Sequence, residues 1–144
     1  MIISRSHFAG SGKWASTWLG DNVAEVKQME LSVTGVMMSG IFGMPLAGSD
    51  ICGFIGDTTK ELCIRWHYVG AFYPFSRNHN NWWEISQEPY VWDKATQDLM
   101  RTAIRTKYSL IRYYYTSLFE LSTAGKGTFY KPLFFEFPED PIAS

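Results

Sequence analysis

The sequence predicts an α/β fold in which short strands and helices alternate, as in a (β/α)8 barrel. Apolar strand-like segments are followed by stretches whose apolar residues recur at helical spacing, and a polar residue closes each strand-like segment. The closing residues are Arg5, Asp21, Asp50 and His79. The intervals from Asp21 to Asp50 and from Asp50 to His79 are both 29 residues, near the ~31 expected when ~250 residues form eight units. An open doubly wound sheet would produce the same alternation and remains the alternative.

The first two strand-like segments lie close together in the chain. The first ends at Ile3, and Arg5 follows two residues later. The second contains Trp18 and ends at Asp21. Taken alone, Asp21 also suits the N-cap of the helix that follows it, since Asp is favoured at that position. If the strand ends share one edge of the sheet, as in a barrel, the polar residues instead converge on a single site.

The first long helix is predicted to begin at residue 22. Apolar residues recur there at helical spacing, namely Val26, Met29, Val33, Val36 and Met37. The pair Thr34-Gly35 lowers the helix propensity in the middle of this stretch. We therefore expect a kink or two helical pieces.

A third strand-like segment, residues 43–50, is apolar, flanked by glycines and closed by a carboxylate. Thr58 and Glu61 match a capping box, with Thr58 as the N-cap, and predict the start of a second helix. An apolar stripe follows on that helix at Leu62, Trp66 and Val69. The fourth strand-like segment, residues 71–75, leads into another polar run.

The longest helix is predicted from about residue 91 to about residue 121, and the turn Gly125-Lys126-Gly127 ends it. Its apolar residues stack along one broad face: Ala95, Leu99, Met100, Ala103, Ile104, Ile111, Tyr115 and Leu118. From residue 129 to 137 the composition becomes aromatic and strand-like. We therefore predict that residues 1–127 belong to the barrel and that residues 128–144 form the first strand of a separate β domain.

Composition excludes several classes of protein. The 144 residues carry a formal net charge of −1 and 46% are hydrophobic, which fits a packed soluble domain and argues against a nucleic-acid-binding surface. The most apolar stretch, 33–46, is interrupted by three glycines and a proline, so we expect no membrane span. The glycine-rich loop 9–13 lacks phosphate-loop spacing, and the scattered cysteines and histidines do not match a zinc set, so we expect no cofactor and no metal. From the residues alone, Cys52 and Cys63 suit a disulfide or two buried thiols equally.

Five motifs carry a resemblance to a known family. They are Ser4-Arg5-Ser6 with Phe8-Ala9-Gly10-Ser11-Gly12, Trp18-Leu19-Gly20-Asp21-Asn22, Gly48-Ser49-Asp50-Ile51-Cys52-Gly53-Phe54, Gly70-Ala71-Phe72-Tyr73-Pro74-Phe75-Ser76-Arg77-Asn78-His79-Asn80 and Pro132-Leu133-Phe134-Phe135-Glu136-Phe137-Pro138. At these residues the chain resembles glycoside hydrolase family 31, the α-glucosidase family. The resemblance covers nearly the whole chain. It implies the second half of a (β/α)8 barrel, about strand 5 to helix 8, running into the start of a C-terminal β-sandwich.

The function that the resemblance implies is that of a retaining α-glucosidase, which hydrolyses terminal α-linked glucose from maltose, maltodextrin or glycogen-like chains. Asp21 matches the general acid/base, and we expect burial against Trp18 to help it hold its proton. The residues that match the glucose-binding site are Arg5, Trp18, Asp50, Phe54 and His79.

The resemblance also implies that the catalytic nucleophile lies outside these residues. The family carries it in a Trp-x-Asp-Met-Asn motif on the fourth strand, and that motif is absent from this sequence. We therefore expect the chain alone to be inactive and poorly folded, and to associate with the remaining part of the same enzyme. Cys52 and Cys63 match a disulfide pair of lysosomal members, which implies the secretory pathway with a lysosomal, vacuolar or extracellular destination.

Other interpretations stay open at this stage. A non-catalytic carbohydrate-binding or structural relative would keep the pocket without turnover, and glycoprotein-trimming glucosidases and α-xylosidases share these motifs. Trp82 and Trp83 either stack a second glucose or pack against the long helix. His67 is interpreted as a structural residue, because it lacks partners at metal-ligand spacing.

Overall fold

Helices and short strands alternate along the chain in the computed structural model, which describes residues 1–125 and 127–143. Within these ranges the helices are α1 (Val26–Ile41), α2 (Lys60–Gly70) and α3 (Lys94–Ala124), and the strands are β1 (Asp50–Ile51) and β2 (Arg77–Asn78). Short 3-10 helices lie at Ser11–Lys13, Pro89–Val91 and Leu133–Phe135. The predicted alternation of strands and helices is confirmed, although the strands are very short.

β1 and β2 pair in parallel, with Asp50 opposite Arg77 and Ile51 opposite Asn78. In a parallel pair the carboxyl ends of both strands lie at the same edge. The segments that follow β1 and β2 therefore leave the sheet side by side, and this brings Phe54 and the residues after β2 into one neighbourhood.

Two further segments continue this parallel arrangement toward the N-terminus. Ile3 and Ser16 form an isolated parallel bridge. The amide of Leu19 donates to the carbonyl oxygen of Gly48 at 3.0 Å, which joins the second segment to the third. The four segments that the sequence predicts as strands therefore lie next to one another in chain order.

α1 differs from its prediction at both its start and its middle. It begins at Val26, with Glu25 as the N-cap, so Asp21 is not a helix cap. The helix also continues through Gly35 without a break, so it does not form the two separate pieces that the sequence allowed. A Cβ at Gly35 would lie 2.6 Å from Cδ1 of Leu19, so glycine lets the helix approach the second segment closely. Packing therefore overrides the propensity penalty of ~1 kcal/mol.

α2 begins one residue later than predicted. Its N-cap is Thr59 rather than Thr58, and the Thr59 side chain accepts a hydrogen bond from the amide of Leu62 at 3.2 Å. Leu62 and Trp66 are buried, as the predicted stripe requires. The indole of Trp66 donates to the hydroxyl of Tyr73 at 3.1 Å, so these two buried side chains satisfy part of each other's hydrogen-bonding capacity.

α3 starts three residues later than predicted, and the rest of the chain buries only part of its apolar face. Asp93 is its N-cap and accepts a hydrogen bond from the amide of Thr96 at 3.0 Å. Gly125 ends it in the left-handed conformation, as predicted, while Lys126 lies outside the described residues. Met100 and Tyr114 are buried, but much of the predicted apolar face is exposed, including Leu99, Ile111 and Tyr115. None of the helices in the described ranges is long and apolar enough to span a bilayer.

The segment after residue 127 is not the strand that its composition predicts. It forms turns and the 3-10 helix Leu133–Phe135, and its phenylalanines are largely exposed. A strand needs a neighbour that accepts its backbone hydrogen bonds, and none of the described segments pairs with residues 128–143. The assignment of 128–144 to a separate β domain stays a prediction, and Ser144 lies outside the described residues.

Candidate active site

Arg5 and Asp21 lie together at the ends of the first two segments. Nη1 of Arg5 donates to Oδ2 of Asp21 at 3.1 Å, and the two side chains are 58% and 36% exposed. Asp21 is therefore partly exposed beside Arg5 in the described residues, and its burial against Trp18 stays a prediction. Gly20 makes this contact possible, since it has φ +91° and a Cβ there would lie 2.5 Å from Nε of Arg5.

Asp50 lies in β1 and pairs with Arg77 of β2. The side chain of Asp50 is 1% exposed, and Nη2 of Arg77 donates to its Oδ1 at 2.9 Å. Burial raises the pKa of Asp50 above its ordinary value, while the hydrogen bond and charge of Arg77 and the charge of His79 offset part of the rise. The charge of Asp21 adds to the rise. Asp21, Asp50 and His79 are thus near enough to influence one another electrostatically.

Arg77 also connects Asp50 to Trp18. The guanidinium carbon lies 5.3 Å from the ring centre of Trp18 and 5.4 Å from that of Phe75, within the range of cation–π contacts. Sequence reasoning missed Arg77, although it lies only two residues after the end of the fourth apolar segment. The signal that identifies it is its register, because it stands opposite Asp50 once the two strands are paired.

Phe54 and His79 form the other side of the same region. Their ring centres are 5.0 Å apart, and the planes are inclined by 45°. The chain turns sharply before Phe54, where Gly53 has φ +99° and a Cβ would lie 2.3 Å from Cα of Ala24. A side chain at that turn would displace Ala24, which lies two residues before α1.

Asn22 connects the segment that carries Asp21 to the segment that carries Asp50 and Phe54. Sequence reasoning missed this residue as well. Its Nδ2 donates to the carbonyl oxygen of Asp50 at 3.0 Å, and its Oδ1 accepts from the amide of Asp50 at 3.0 Å. Its carbonyl oxygen accepts from the amide of Phe54 at 2.7 Å. The residue next to Asp21 is therefore fixed to the backbone on both sides of Cys52.

A disulfide joins Cys52 to Cys63 and so connects the segment after β1 to α2. Nδ1 of the buried His67 lies 2.8 Å from the carbonyl oxygen of Cys63 and 3.6 Å from Sγ of Cys52. Burial lowers the pKa of His67. Because the two sulfur atoms are bonded to each other, the three side chains do not offer thiolate ligands to a metal in this state.

The polar atoms of the region are not all satisfied within the described chain. Nε1 of Trp18, Oδ2 of Asp50 and Nε of Arg77 are buried without a hydrogen-bond partner there. Buried polar atoms normally have partners, and this set contains two donors and one acceptor. A cavity of ≈ 600 Å³ lies elsewhere, lined by residues such as Ile2, Met44 and Leu121, so volume alone does not mark this region.

Comparison with known proteins agrees on one family. Residues 1–117 match the glycosyl hydrolases family 31 TIM-barrel domain. The chain is 47% identical over 140 residues to lysosomal alpha-glucosidase of Mus musculus. This match covers 97% of the present chain and 15% of the mouse protein.

Solved structures agree as well. The catalytic subunit in the heterodimeric complex of ER glucosidase II superposes with a TM-score of 0.93 at 34% identity, covering 98% of this chain and 15% of that one. The family 31 alpha-glucosidase from Bacteroides thetaiotaomicron gives a TM-score of 0.92 at 36% identity, covering all of this chain and 25% of that one. The chain thus spans a small share of the relatives it matches, and it belongs to glycosyl hydrolase family 31.

Proposed function

We propose that this chain forms part of a retaining α-glucosidase that releases terminal α-linked glucose from maltose, maltodextrin or glycogen-like chains. The observation that carries the proposal is the pairing of two carboxylates with two arginines at one edge of parallel segments. Asp21 with Arg5 is accessible to a ligand, whereas Asp50 with Arg77 is buried. The two carboxylates therefore suit different tasks.

Asp21 acts as the general acid/base. In a retaining mechanism one carboxyl protonates the leaving oxygen and later takes a proton from water, while a second carboxylate about 5–5.5 Å away attacks the anomeric carbon. The exposure of Asp21 supports the first task, because the acid must reach an oxygen of the substrate. Arg5 uses one N–H on Asp21, and its remaining N–H groups are available for a sugar hydroxyl.

The glucose is held by Asp50, His79, Trp18 and Phe54. Oδ2 of Asp50 is buried without a partner in the described chain, and we propose that it accepts a glucose hydroxyl once the neighbouring side chains shift to admit the sugar. Nε1 of Trp18 donates in the same way. The contact between Phe54 and His79 supports a wall with an apolar face and a polar edge.

The nucleophile comes from outside this chain. We propose that the described residues represent about strand 5 to helix 8 of the barrel and that residues 128–144 lead into a β-sandwich. The exposed apolar side chains of α3 support this proposal, because they offer a surface for the remaining part of the same enzyme. The chain alone should then be inactive.

We place the enzyme in the secretory pathway, with a lysosomal, vacuolar or extracellular destination. The disulfide between Cys52 and Cys63 supports an oxidising compartment. The matched mouse relative is named as lysosomal and the matched glucosidase II as an ER protein, which agrees with this placement.

Asp21→Asn in the complete protein tests the proposal. We expect the variant to lose hydrolysis of maltose by at least ~10³-fold, because the sugar leaving group needs a proton. The first step with α-glucosyl fluoride should fall much less, because fluoride leaves without protonation. A burst of fluoride release measured in rapid mixing separates that step from the hydrolysis that follows it.

Asp98→Asn is the matched control, since Asp98 is also a partly exposed carboxylate paired with basic side chains, but it lies on α3. It should leave both substrates unaffected. Unchanged maltose hydrolysis in Asp21→Asn would contradict the assignment. A complete wild-type protein that binds maltose without any turnover would instead support the non-catalytic carbohydrate-binding alternative.

A further inference from the structure

The loop that follows His79 presents two tryptophans to solvent. Trp82 is 86% exposed and Trp83 is 64% exposed. Their ring centres are 5.2 Å apart in an edge-to-face arrangement. These exposures contradict the interpretation that the two indoles pack against α3. Adjacent large apolar side chains left in water commonly mark a binding surface.

Hydrogen bonds hold this loop in place. The amide of Asn81 donates to the carbonyl oxygen of Phe54 at 3.1 Å, and Oδ1 of Asn81 accepts from the amide of Trp82 at 3.0 Å. Further along, Oε1 of Glu84 accepts from the amide of Gly56 at 2.9 Å. The loop is therefore tied at two points to the segment after β1. A surface fixed in this way loses little conformational entropy when it binds a ligand.

The tryptophans also lie close to the proposed glucose-binding residues. Trp82 is three residues after His79, so their Cα atoms are at most ~11 Å apart. The ring of His79 lies 5.0 Å from that of Phe54, and the loop itself is anchored on Phe54. A chain of sugars that leaves the glucose site on this side would therefore pass close to this loop.

The geometry points to Trp82 and Trp83 as an acceptor subsite, an aromatic platform for the sugar unit next to the bond that is cleaved. This inference rests on the proposed function. The C–H face of a pyranose ring is apolar and fits the face of an indole, while its hydroxyl groups stay in water. The platform recognises the length of the substrate, and the enzyme should prefer α-linked glucose chains to glucosides with a small leaving group.

The test compares substrates that differ only in what occupies the acceptor side. Steady-state kcat/KM is measured in the complete protein for α-glucosyl fluoride, maltose and maltotriose. In the double variant W82A/W83A we expect kcat/KM for maltose and maltotriose to fall about tenfold. The value for α-glucosyl fluoride, which has no acceptor sugar, should stay within about twofold of wild type. W82F/W83F keeps two aromatic faces and should recover most of the loss.

Trp14→Ala is the matched control, because Trp14 is 74% exposed but lies in the connection between the first two segments. It should leave the ratio of maltose to fluoride hydrolysis unchanged. A similar loss on all three substrates would overturn the inference, since the tryptophans would then support the glucose site, the fold or a contact with the rest of the polypeptide. No loss on any substrate would also overturn it. A wild-type protein that does not hydrolyse α-glucosyl fluoride would overturn the proposed function itself, and the subsite with it.

Discussion

Replacement of Arg77 by methionine isolates what the buried ion pair contributes. Removing one partner of a fully buried pair costs ~3–5 kcal/mol, because the other charge is left without compensation. Asp50 is 1% exposed, but Arg77 is 33% exposed. Solvent already screens part of the Arg77 charge, so we expect Arg77→Met to destabilise the sheet region by about 2–3 kcal/mol at neutral pH.

The loss should depend on pH, and its direction follows from the pKa of Asp50. Because burial raises this pKa in the folded state, the folded state holds the proton more tightly than the unfolded state, and stability falls as the pH rises through the folded pKa. Arg77 opposes that rise, so its removal moves the folded pKa of Asp50 further up. The stability difference between wild type and Arg77→Met should therefore be small at low pH, below the wild-type folded pKa, and widen as the pH increases.

Hydrogen exchange measured by mass spectrometry on peptides covering residues 46–54 and 72–80 reports this local stability in the complete protein. Arg65→Met is the matched control, since Arg65 pairs with Glu61 on the surface of α2 and should change stability by less than ~1 kcal/mol without a pH trend. Adding Asp50→Asn to Arg77→Met should remove the pH dependence, because the buried group no longer ionises. A loss that does not rise anywhere between acid and neutral pH, or that Asp50→Asn does not relieve, would refute the reasoning.

Two further predictions concern the scaffold. Gly48→Ala should destabilise the protein by more than ~3 kcal/mol, because its Cβ would lie 1.9 Å from the carbonyl oxygen of Phe75. Thermal inactivation measures this loss. The control is Gly56→Ala, which has nothing within 4 Å of the added Cβ and should cost only the ~1 kcal/mol of its positive φ. Comparable losses in the two glycine variants would contradict a specific backbone clash. Replacing both Cys52 and Cys63 by serine should lower the unfolding free energy by about 3 kcal/mol. Reductant should have the same effect on the wild type but none on the variant. A wild-type melting temperature that reductant leaves unchanged would contradict the presence of the disulfide.

Local patterns were sufficient for some features of this chain and insufficient for others. The apolar spacing of α2 and the glycine at the end of α3 depend on neighbours within a few residues, and both were predictable. The start of α1 was not, because Asn22 uses its side chain to bind the backbone of Asp50, 28 residues away. The absence of a strand in residues 128–143 was not predictable either, since aromatic composition favours a strand only where another strand is available for pairing.

The candidate site shows the same division. Charged residues that close apolar segments identify Arg5, Asp21 and Asp50 as candidates, because the carboxyl ends of parallel strands meet at one edge of the sheet. Arg77 follows an apolar segment too, but its importance depends on register, and a one-residue shift would place Asn78 opposite Asp50. The half-exposed position of Asp21 could not be foreseen either, since it depends on Gly20 leaving room for the guanidinium of Arg5.

The two ion pairs follow one rule that links the site to the fold. Each joins segments that are neighbours in the chain and in space, Arg5 with Asp21 and Asp50 with Arg77. The ladder between β1 and β2 is only two residues long, so backbone hydrogen bonds alone specify its register weakly. The side-chain pairs restrict the alternatives, because a shifted strand would separate charges and leave Asp50 buried without a partner. The ion pairs that hold the segments in register are therefore the same ones that orient the proposed catalytic and binding groups. A substitution that removes one of these ion pairs should lower both the local stability and the activity.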